Sequence, residues 1–399
     1  PGVVIGMIIA VITALATMQA AGGLDYLVSV AERVLRSKPQ YITFLAPVVT
    51  YLLIFASGTT HVIYALLPVI AEVARKAGIR PERPLSISVI AGFQGVVASP
   101  ISAATVAMVG FLGARDVSLP RLLAVMIPST FLAVLIGAAS VAWRGKALDE
   151  DPEYQRRLAE GALKPPEALP ALEGKALSAA RGSTFLFLAA IVAVVLIGMF
   201  PDLRPSYEVA GAGGAIETDQ VGMGWAIMIV MFAVAGLTTI LFRASPAAAV
   251  QGTIMRSGVT AVICIVGVSW LGSSFFEGNR AFIVGGISDL VRGHPWTFAV
   301  GLFLLSTMLF SAAATVVILV PVGVALGMPA AHLIASYPAA NGVFFLPTYG
   351  TLLAAVSFDS TGTTRIGRYL LNHSFMLPGL VCTVSAVVLA LLLNAVLPG

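Results

Sequence analysis

The chain has 399 residues, of which 58% are hydrophobic and 11% are charged, and its mean hydropathy is +0.96. Soluble domains are about 45–50% apolar and about 25% charged, so a water-soluble fold of this length cannot bury so much apolar surface. The formal net charge is +4, but the basic residues are scattered through the connecting segments. This scatter argues against nucleic-acid binding and fits orientation in a lipid bilayer.

The apolar residues fall into continuous blocks of roughly 17–25 residues, the length that a helix needs to cross hydrocarbon. Strands of a membrane barrel would instead alternate apolar and polar residues. The blocks therefore predict an all-α polytopic membrane protein. Cys264 and Cys382 lie inside apolar blocks without metal-ligand spacing, so we expect buried thiols and no metal site.

Residues 1–143 contain full-length spans together with shorter apolar runs. One pair of short runs flanks a polar tip and predicts a re-entrant helical hairpin. Another pair meets at Pro100, which predicts a broken helix because proline removes a helical hydrogen bond. In chain order the elements are a span at Val3–Ala20, an amphipathic interfacial helix at Leu24–Lys38, the hairpin at about 41–73, the broken helix at about 85–112 and a span at Leu122–Trp143.

The same order returns in residues 183–399, after a hydrophilic segment at 144–182. Two spans precede the repeated order, and a Gly-rich loop separates them. The elements are spans at Phe185–Phe200, Gly224–Phe242 and Val259–Leu271, an interfacial helix at Phe275–Arg292, a hairpin at about 296–326, a broken helix at about 331–356 and a final span at Leu377–Val396.

An internal repeat is the economical interpretation of this order, since Pro39, Ser57, Pro68 and Pro100 align with Pro295, Ser311, Pro321 and Pro347. With the 144–181 segment in the cytoplasm, five of the 23 basic residues fall outside and 18 inside, as the positive-inside rule requires. The two hairpins then enter from opposite sides, which makes the repeats inverted, as in many secondary transporters. We expect about two further spans upstream of Pro1, and both termini outside.

The polar tip of the first hairpin is the first candidate binding site. Hairpin tips and broken helices present free helix N-terminal amides, which attract carboxylates. Hydroxyl groups there can donate to carboxylate oxygens, although a small-residue helix-packing motif is an alternative interpretation. His61 is either a satisfied interior histidine or a proton-sensitive partner for an anion. The tip residues are Ser57, Gly58, Thr59, Thr60 and His61.

The other tip and the two breaks supply further candidates. Their polar side chains either bind substrate or satisfy carbonyl groups that the breaks set free. The first break contains Gln94, Ser99, Pro100 and Ser102, the second tip contains Ser311 and Thr315, and the second break contains Asn341, Gly342, Pro347, Thr348 and Tyr349.

Asp359 lies at the end of an apolar run and is a candidate for coupling or gating together with Arg365 and His61. An acid deep in a bilayer costs roughly 2.5–3.5 kcal/mol on insertion scales and usually signals function. A structural ion pair of Asp359 with Arg365 or Arg368 is the alternative that we favour. The sequence contains no Walker loop, HExxH or GxSxG motif, so we expect no enzyme.

Several segments together resemble the Dcu family of anaerobic C4-dicarboxylate transporters over essentially the whole chain. The resemblance implies exchange or uptake of fumarate, succinate, malate and aspartate across a bacterial inner membrane, and membership of the inverted-repeat ion transporters. The segments are Ala21–Asp25, Ser57–His61, Arg80–Pro84, Ala98–Ser102, Leu346–Tyr349, Phe358–Gly367 and Asn372–Ser374.

The sequence departs from the family pattern at two places near the presumed site. Phe310-Ser311-Ala312 stands where the family typically has Asn-Ser-Gln, and Gly350-Thr351 stands where it often has Pro-Ser. The sequence therefore leaves open which substrate is preferred and whether Na+ or H+ is the coupling ion. Two alternative functions also stay open: transport of another small organic anion, and a non-transporting membrane co-sensor of dicarboxylates. We expect a homodimer in the lipid bilayer, without a cofactor.

Overall fold

The computed structural model describes residues 2–115, 117–161, 174–210, 216–252, 254–256, 259, 278 and 294–396. Within these ranges six helices are long and apolar enough to cross a membrane, and a bent pair at the start could form a seventh span. The predicted all-α membrane fold is confirmed. The predicted span Val259–Leu271 and the predicted interfacial helix Phe275–Arg292 lie outside the described residues, except for single positions.

Two helices at the start of the chain meet at a sharp turn. Helix α1 (Gly2–Ala20) and helix α2 (Gly23–Ser37) differ in direction by 74°. The turn passes through Gly22 at φ 80°, a left-handed conformation that glycine adopts without a Cβ penalty. Helix α2 buries one face and exposes its charged face, as its amphipathic sequence predicts.

The remaining helices of the first half have the predicted order. The first hairpin consists of α3 (Ile42–Ser57) and α4 (Ile63–Lys76), and the broken helix of α5 (Glu82–Ala98) and α6 (Ala103–Leu112), followed by α7 (Leu119–Val141). Residues Pro39–Ser57 are long and apolar enough to cross a membrane by themselves, so the re-entrant course of this hairpin stays a prediction.

The middle of the chain differs most from expectation. The loop that we predicted as Gly-rich contains an antiparallel ribbon in which Ser206 pairs with Gln220 and Ala210 with Ile216. Its strands have five residues each, which is too short for the sequence pattern to distinguish them from a loop between two spans. The elements are α8 (Pro152–Ala159), α9 (Gly174–Met199), β1 (Ser206–Ala210), β2 (Ile216–Gln220), α10 (Met223–Leu241) and α11 (Pro246–Gln251).

The second half repeats the hairpin, the broken helix and a closing span. The second tip is shorter than predicted, because Thr315 lies in the first turn of a helix. A 3-10 helix at Tyr337–Phe344 replaces the end of the predicted α-helix. The elements are α12 (Thr297–Leu309), α13 (Ala312–Ala325), α14 (Ala330–Ser336), α15 (Gly350–Phe358) and α16 (Met376–Val396).

The two halves contact each other reciprocally. Helix α6, which follows the first break, packs against α13 of the second hairpin, and α15, which follows the second break, packs against α4 of the first hairpin. Helices α7 and α16, which close the two halves, pack against each other. A Cβ at Gly137 of α7 would lie 3.3 Å from Cys382 Cβ of α16, so small residues allow this close approach. Opposite membrane orientation of the halves stays a prediction.

Candidate binding site at the hairpin tips and helix breaks

The first hairpin turns tightly against the first break. Helix α3 ends at Ser57, and Gly58 adopts φ 66°. A Cβ at Gly58 would lie 2.9 Å from Ile101 Cγ1, so the tip admits no side chain at this position. The Ser57 hydroxyl is buried and makes long hydrogen bonds, of 3.4 Å, to Ile54 O and Thr59 O. The side chain of His61 lies outside the part of the chain that the structure describes.

The first break is stabilised by its own hydroxyl groups. Ser99 Oγ donates to Phe55 O of α3 at 2.7 Å, which ties the break to the hairpin. Ser102 Oγ accepts from the Thr105 amide at 3.2 Å and thereby caps α6. Pro100 between them is buried. Both hydroxyls therefore satisfy backbone groups, the alternative role that the sequence left open for them.

Two amide side chains occupy matching places in the broken helices, each six residues before the proline of its break. Asn341 Nδ2 donates to Phe93 O of α5 at 2.9 Å, which joins the two halves. Gln94 is fully buried, and neither polar atom of its side chain has a hydrogen-bond partner among the described residues. An unsatisfied buried amide is costly and needs an explanation.

The second hairpin turns at a residue that sequence reasoning did not select. Phe310 has φ 51°, so a bulky aromatic residue adopts the left-handed conformation between α12 and α13. Ser311 Oγ accepts from the Ala314 amide at 3.2 Å and caps α13, while Thr315 Oγ1 donates back to Ser311 O at 2.8 Å. The sequence did contain one signal for Phe310, because a phenylalanine stands where the family typically has an asparagine.

The second hairpin holds the second broken helix by its backbone. The Gly342 amide donates to Ser306 Oγ at 2.7 Å, and Thr307 Oγ1 donates to Gly342 O at 2.9 Å. Both hydroxyl residues belong to α12 and were not among the predicted candidates, although they are polar residues inside an apolar helix. Pro347 is buried in the break and Thr348 is exposed.

Tyr349 brings both tips and both broken helices together. Its ring stacks on Phe310 of the second tip at 6.3 Å between centroids and meets the edge of Phe93 of α5 at 5.6 Å. Its hydroxyl lies within hydrogen-bonding reach of the Thr60 side chain in the first tip. A Cβ at Gly350 would lie 2.5 Å from Tyr64 Oη of α4. The predicted site residues of the two halves thus share one region.

The electrostatics of this region come from backbone dipoles. Helices α4, α6, α13 and α15 all begin at a tip or a break. Each helix N-terminus carries roughly half a positive charge, and first-turn amides that no side chain caps can donate to a bound anion. The tip and break segments, 57–62, 99–102, 310–315 and 345–349, contain no lysine or arginine. The arrangement therefore suits a carboxylate that is held by amides and hydroxyls.

Asp359 does not form the predicted ion pair with Arg365 or Arg368. The buried carboxylate instead accepts hydrogen bonds from the Thr361 amide at 2.9 Å, the Thr364 amide at 2.6 Å, Thr363 Oγ1 at 2.9 Å and the Thr361 hydroxyl. Arg365 is exposed. The favoured interpretation was wrong because the residues that follow Asp359 fold back as a local turn that satisfies the carboxylate.

The apolar helices make this a multi-pass membrane protein, and the proteins it resembles make it a transporter rather than an enzyme. The model of a family described as anaerobic C4-dicarboxylate membrane transporters matches residues 1–398. The chain belongs to this family and is a protein of the inner membrane.

Named relatives cover nearly the whole chain. The C4-dicarboxylate transporter DcuA of Wolinella succinogenes is 41% identical over 398 residues, which are 99% of this chain and 88% of the relative. The protein of the same name from Escherichia coli K12 is 42% identical over 377 residues, 94% of this chain and 84% of the relative. The anaerobic C4-dicarboxylate transporter DcuB of Escherichia coli is 38% identical over 383 residues, with the same coverage of 94% and 84%.

A solved structure shares the fold at low identity. It is MtrF of Neisseria gonorrhoeae, described as illuminating a class of antimetabolite efflux pumps. The TM-score is 0.57 at 14% identity, over 98% of this chain and 81% of that protein. At this identity the likeness concerns the fold alone.

Proposed function

We propose that the chain carries C4-dicarboxylates, such as fumarate, succinate, malate and aspartate, across the inner membrane by exchange or uptake. Membership of the family and the names of the relatives support the substrate class. The observation that carries the proposal is the convergence of both tips at Tyr349, which stacks on Phe310 and reaches Thr60. Two tips offer a place for each of two carboxylates.

The substrate in this proposal lies between the tips and the breaks. Amides at the starts of α4 and α13 face one carboxylate each, and the hydroxyls of Ser57, Thr59 and Thr60 supply further donors. The orphaned amide of Gln94 becomes satisfied when its Nε2 donates to a carboxylate oxygen. Alternating access then moves the hairpins and broken helices against the remaining spans, with Na+ or H+ as the coupling ion.

Counterflow in proteoliposomes tests this function. Vesicles that contain the protein and are preloaded with fumarate should accumulate labelled succinate well above protein-free vesicles, and vesicles without internal fumarate separate exchange from net uptake. Repeating the assay with and without a Na+ gradient, and with and without a pH gradient, separates the coupling ions. Folded protein without flux above the protein-free control would overturn the proposal.

The same assay separates the two alternative functions. Competition of the succinate flux by a panel of monocarboxylates, hydroxy acids and sugar acids identifies a different anion if one of them inhibits more strongly than fumarate does. Binding of succinate to the purified protein without any flux would indicate a substrate-reporting membrane protein instead.

A further inference from the structure

Phe310 has an unfavourable backbone conformation, and its ring stacks on Tyr349. Among the described residues other than glycine, only Arg243 and Phe310 have a positive φ. The left-handed region suits glycine or asparagine and is disfavoured for a bulky side chain. A residue held in such a conformation at a site points to a role for its side chain. The ring of Phe310 therefore contributes something that glycine or asparagine would not.

The contact of the ring places it at the edge of the proposed site. One face of Phe310 lies on Tyr349, with an angle of 19° between the ring planes. Tyr349 in turn reaches the first tip through Thr60 and contacts Phe93 of α5. The Phe310 side chain remains 37% exposed, so part of its surface is not covered by the described protein. The second tip thus presents an apolar ring beside hydroxyls and amides.

We infer that Phe310 determines specificity, and that it makes the site prefer C4-dicarboxylates without a hydroxyl group at C2. This inference rests on the proposed function. Succinate and malate share both carboxylates and differ only in the hydroxyl at C2. An aromatic ring offers that hydroxyl no hydrogen bond, so binding malate would desolvate the hydroxyl without replacing its bonds to water.

The expected discrimination is moderate. An apolar pocket rejects a ligand that merely adds a hydroxyl group by about 10- to 100-fold. We therefore expect malate to inhibit labelled succinate exchange with an inhibition constant at least about tenfold higher than that of unlabelled succinate.

Substitutions at position 310 test the inference. Phe310→Asn accepts the left-handed backbone and supplies a hydrogen-bonding group, so the ratio of the malate and succinate constants should fall about tenfold. Phe310→Gly should lower the ratio too, because it removes the ring and leaves room for water. Phe310→Leu is the matched control, since it keeps an apolar side chain and should leave the ratio within about threefold.

The possible outcomes separate the inference from the function. A wild-type ratio near one, or equal ratios for the Asn, Gly and Leu variants, overturns the role of Phe310 while the flux itself upholds the transporter. Absence of flux for every dicarboxylate overturns the proposed function and the inference with it. If the Asn variant fails to fold, the comparison of wild type, Gly and Leu still decides.

Discussion

Gly342 is the residue at which the second hairpin packs against the second broken helix and forms hydrogen bonds to its backbone. A Cβ there would lie 2.4 Å from Phe303 O, which is backbone and cannot rotate away. Gly342→Ala should therefore push α12 away from the break, cost about 1–3 kcal/mol of stability and slow succinate exchange about tenfold or more. Thermal unfolding in detergent and counterflow rates measure the two effects.

Gly301→Ala provides the control for this substitution on the same helix. The nearest atom to a Cβ at Gly301 is Leu319 Cδ1 at 3.9 Å, an ordinary contact. Alanine in the helix interior should leave exchange unchanged and stabilise by about 0.5–1 kcal/mol. If both variants kept wild-type exchange and thermal stability, the close contact at Gly342 would not matter for transport.

Gln94 offers a prediction in which stability and transport move in opposite directions. Replacing the orphaned amide by an apolar group of similar size, Gln94→Leu, should raise the free energy of unfolding by about 1–3 kcal/mol. The same change removes the proposed donor to a carboxylate, so exchange should fall about tenfold or more. Chemical or thermal denaturation measures the stability of the variant and of the wild type, and counterflow measures their exchange rates.

Ser88→Ala is the matched control for Gln94. Ser88 lies in the same helix, is fully buried and also has no hydrogen-bond partner for its hydroxyl among the described residues. Its replacement should leave exchange intact. Full exchange in Gln94→Leu would remove Gln94 from the substrate site and leave it as a structural amide.

At the scale of elements, α8 fastens the segment after α7 to both halves of the protein. Asp151 caps α8 and pairs with the buried Arg80, whose guanidinium also donates to Glu82 at 2.7 Å. On the other side, Arg157 of α8 donates to Ser360 O at 3.2 Å in the loop after α15. The segment therefore bridges the start of the first broken helix and the end of the second.

Removing the charge of Asp151 should loosen this attachment. Asp151→Asn keeps a good helix cap but loses the ion pair with Arg80, a charged hydrogen bond worth about 1.5–3 kcal/mol. Local opening should rise about tenfold or more, measured as faster trypsin cleavage after Arg156 and Arg157. Asp149→Asn makes the same charge change at an exposed position and should cleave at the wild-type rate. Equal rates for the two variants would contradict the role of the pair.

The pH dependence of the attachment has a definite sign. Burial raises the pKa of Asp151, but hydrogen bonds from the Tyr154 amide and from Arg80 outweigh it and lower the pKa below its ordinary value. A lowered pKa stabilises the folded state at every pH above the unfolded value of about 3.9, and this contribution is lost as the pH falls through the folded value. Hydrogen exchange of α8, corrected for intrinsic rates, should therefore stay constant between about pH 5 and 8 and increase only in stronger acid. An increase between pH 7 and 5 would show that another group controls α8.

The elements differ in how far the sequence could define them. The break at Pro100 and the polar residues of the first tip were predictable, because a proline and a cluster of hydroxyl residues visibly interrupt long apolar runs in the sequence. The ribbon at Ser206–Gln220 and the partners of Asp359 were not, because both depend on local turns rather than on periodicity. Phe310 could be placed at the tip, but its stacking on Tyr349 arises from a contact between distant segments.

At the scale of the whole molecule, the reciprocal contacts between the halves give the proposed transport a structural basis. Each hairpin is contacted by the helix that follows the break of the other half, α6 on α13 and α15 on α4. Further hydrogen bonds cross between the halves at Thr105 and Tyr337, 3.0 Å apart, and at Asn341. A movement of one hairpin would therefore be transmitted to the broken helix of the other half. Inverted repeats would make that coupling act on opposite sides of the membrane.

Orientation is the prediction on which this coupling depends. Helix α9 has 26 residues and is about 39 Å long at 1.5 Å per residue, enough to cross a hydrocarbon core of about 30 Å. The α8 segment and the ribbon lie at opposite ends of α9 and must face opposite sides. The positive-inside distribution predicts that the α8 segment faces the cytoplasm.

Cysteine labelling in intact cells checks this orientation. In a background with Cys264 and Cys382 replaced by alanine, Glu208→Cys in the exposed ribbon should react with a membrane-impermeant maleimide. Lys146→Cys, exposed beside α8, should react only after the cells are permeabilised. The reverse pattern would place the α8 segment outside the cell and would reverse the predicted orientation of every span. Equal reaction of both positions in intact cells would mean that α9 does not cross the membrane, and the inverted arrangement of the two halves would lose its basis.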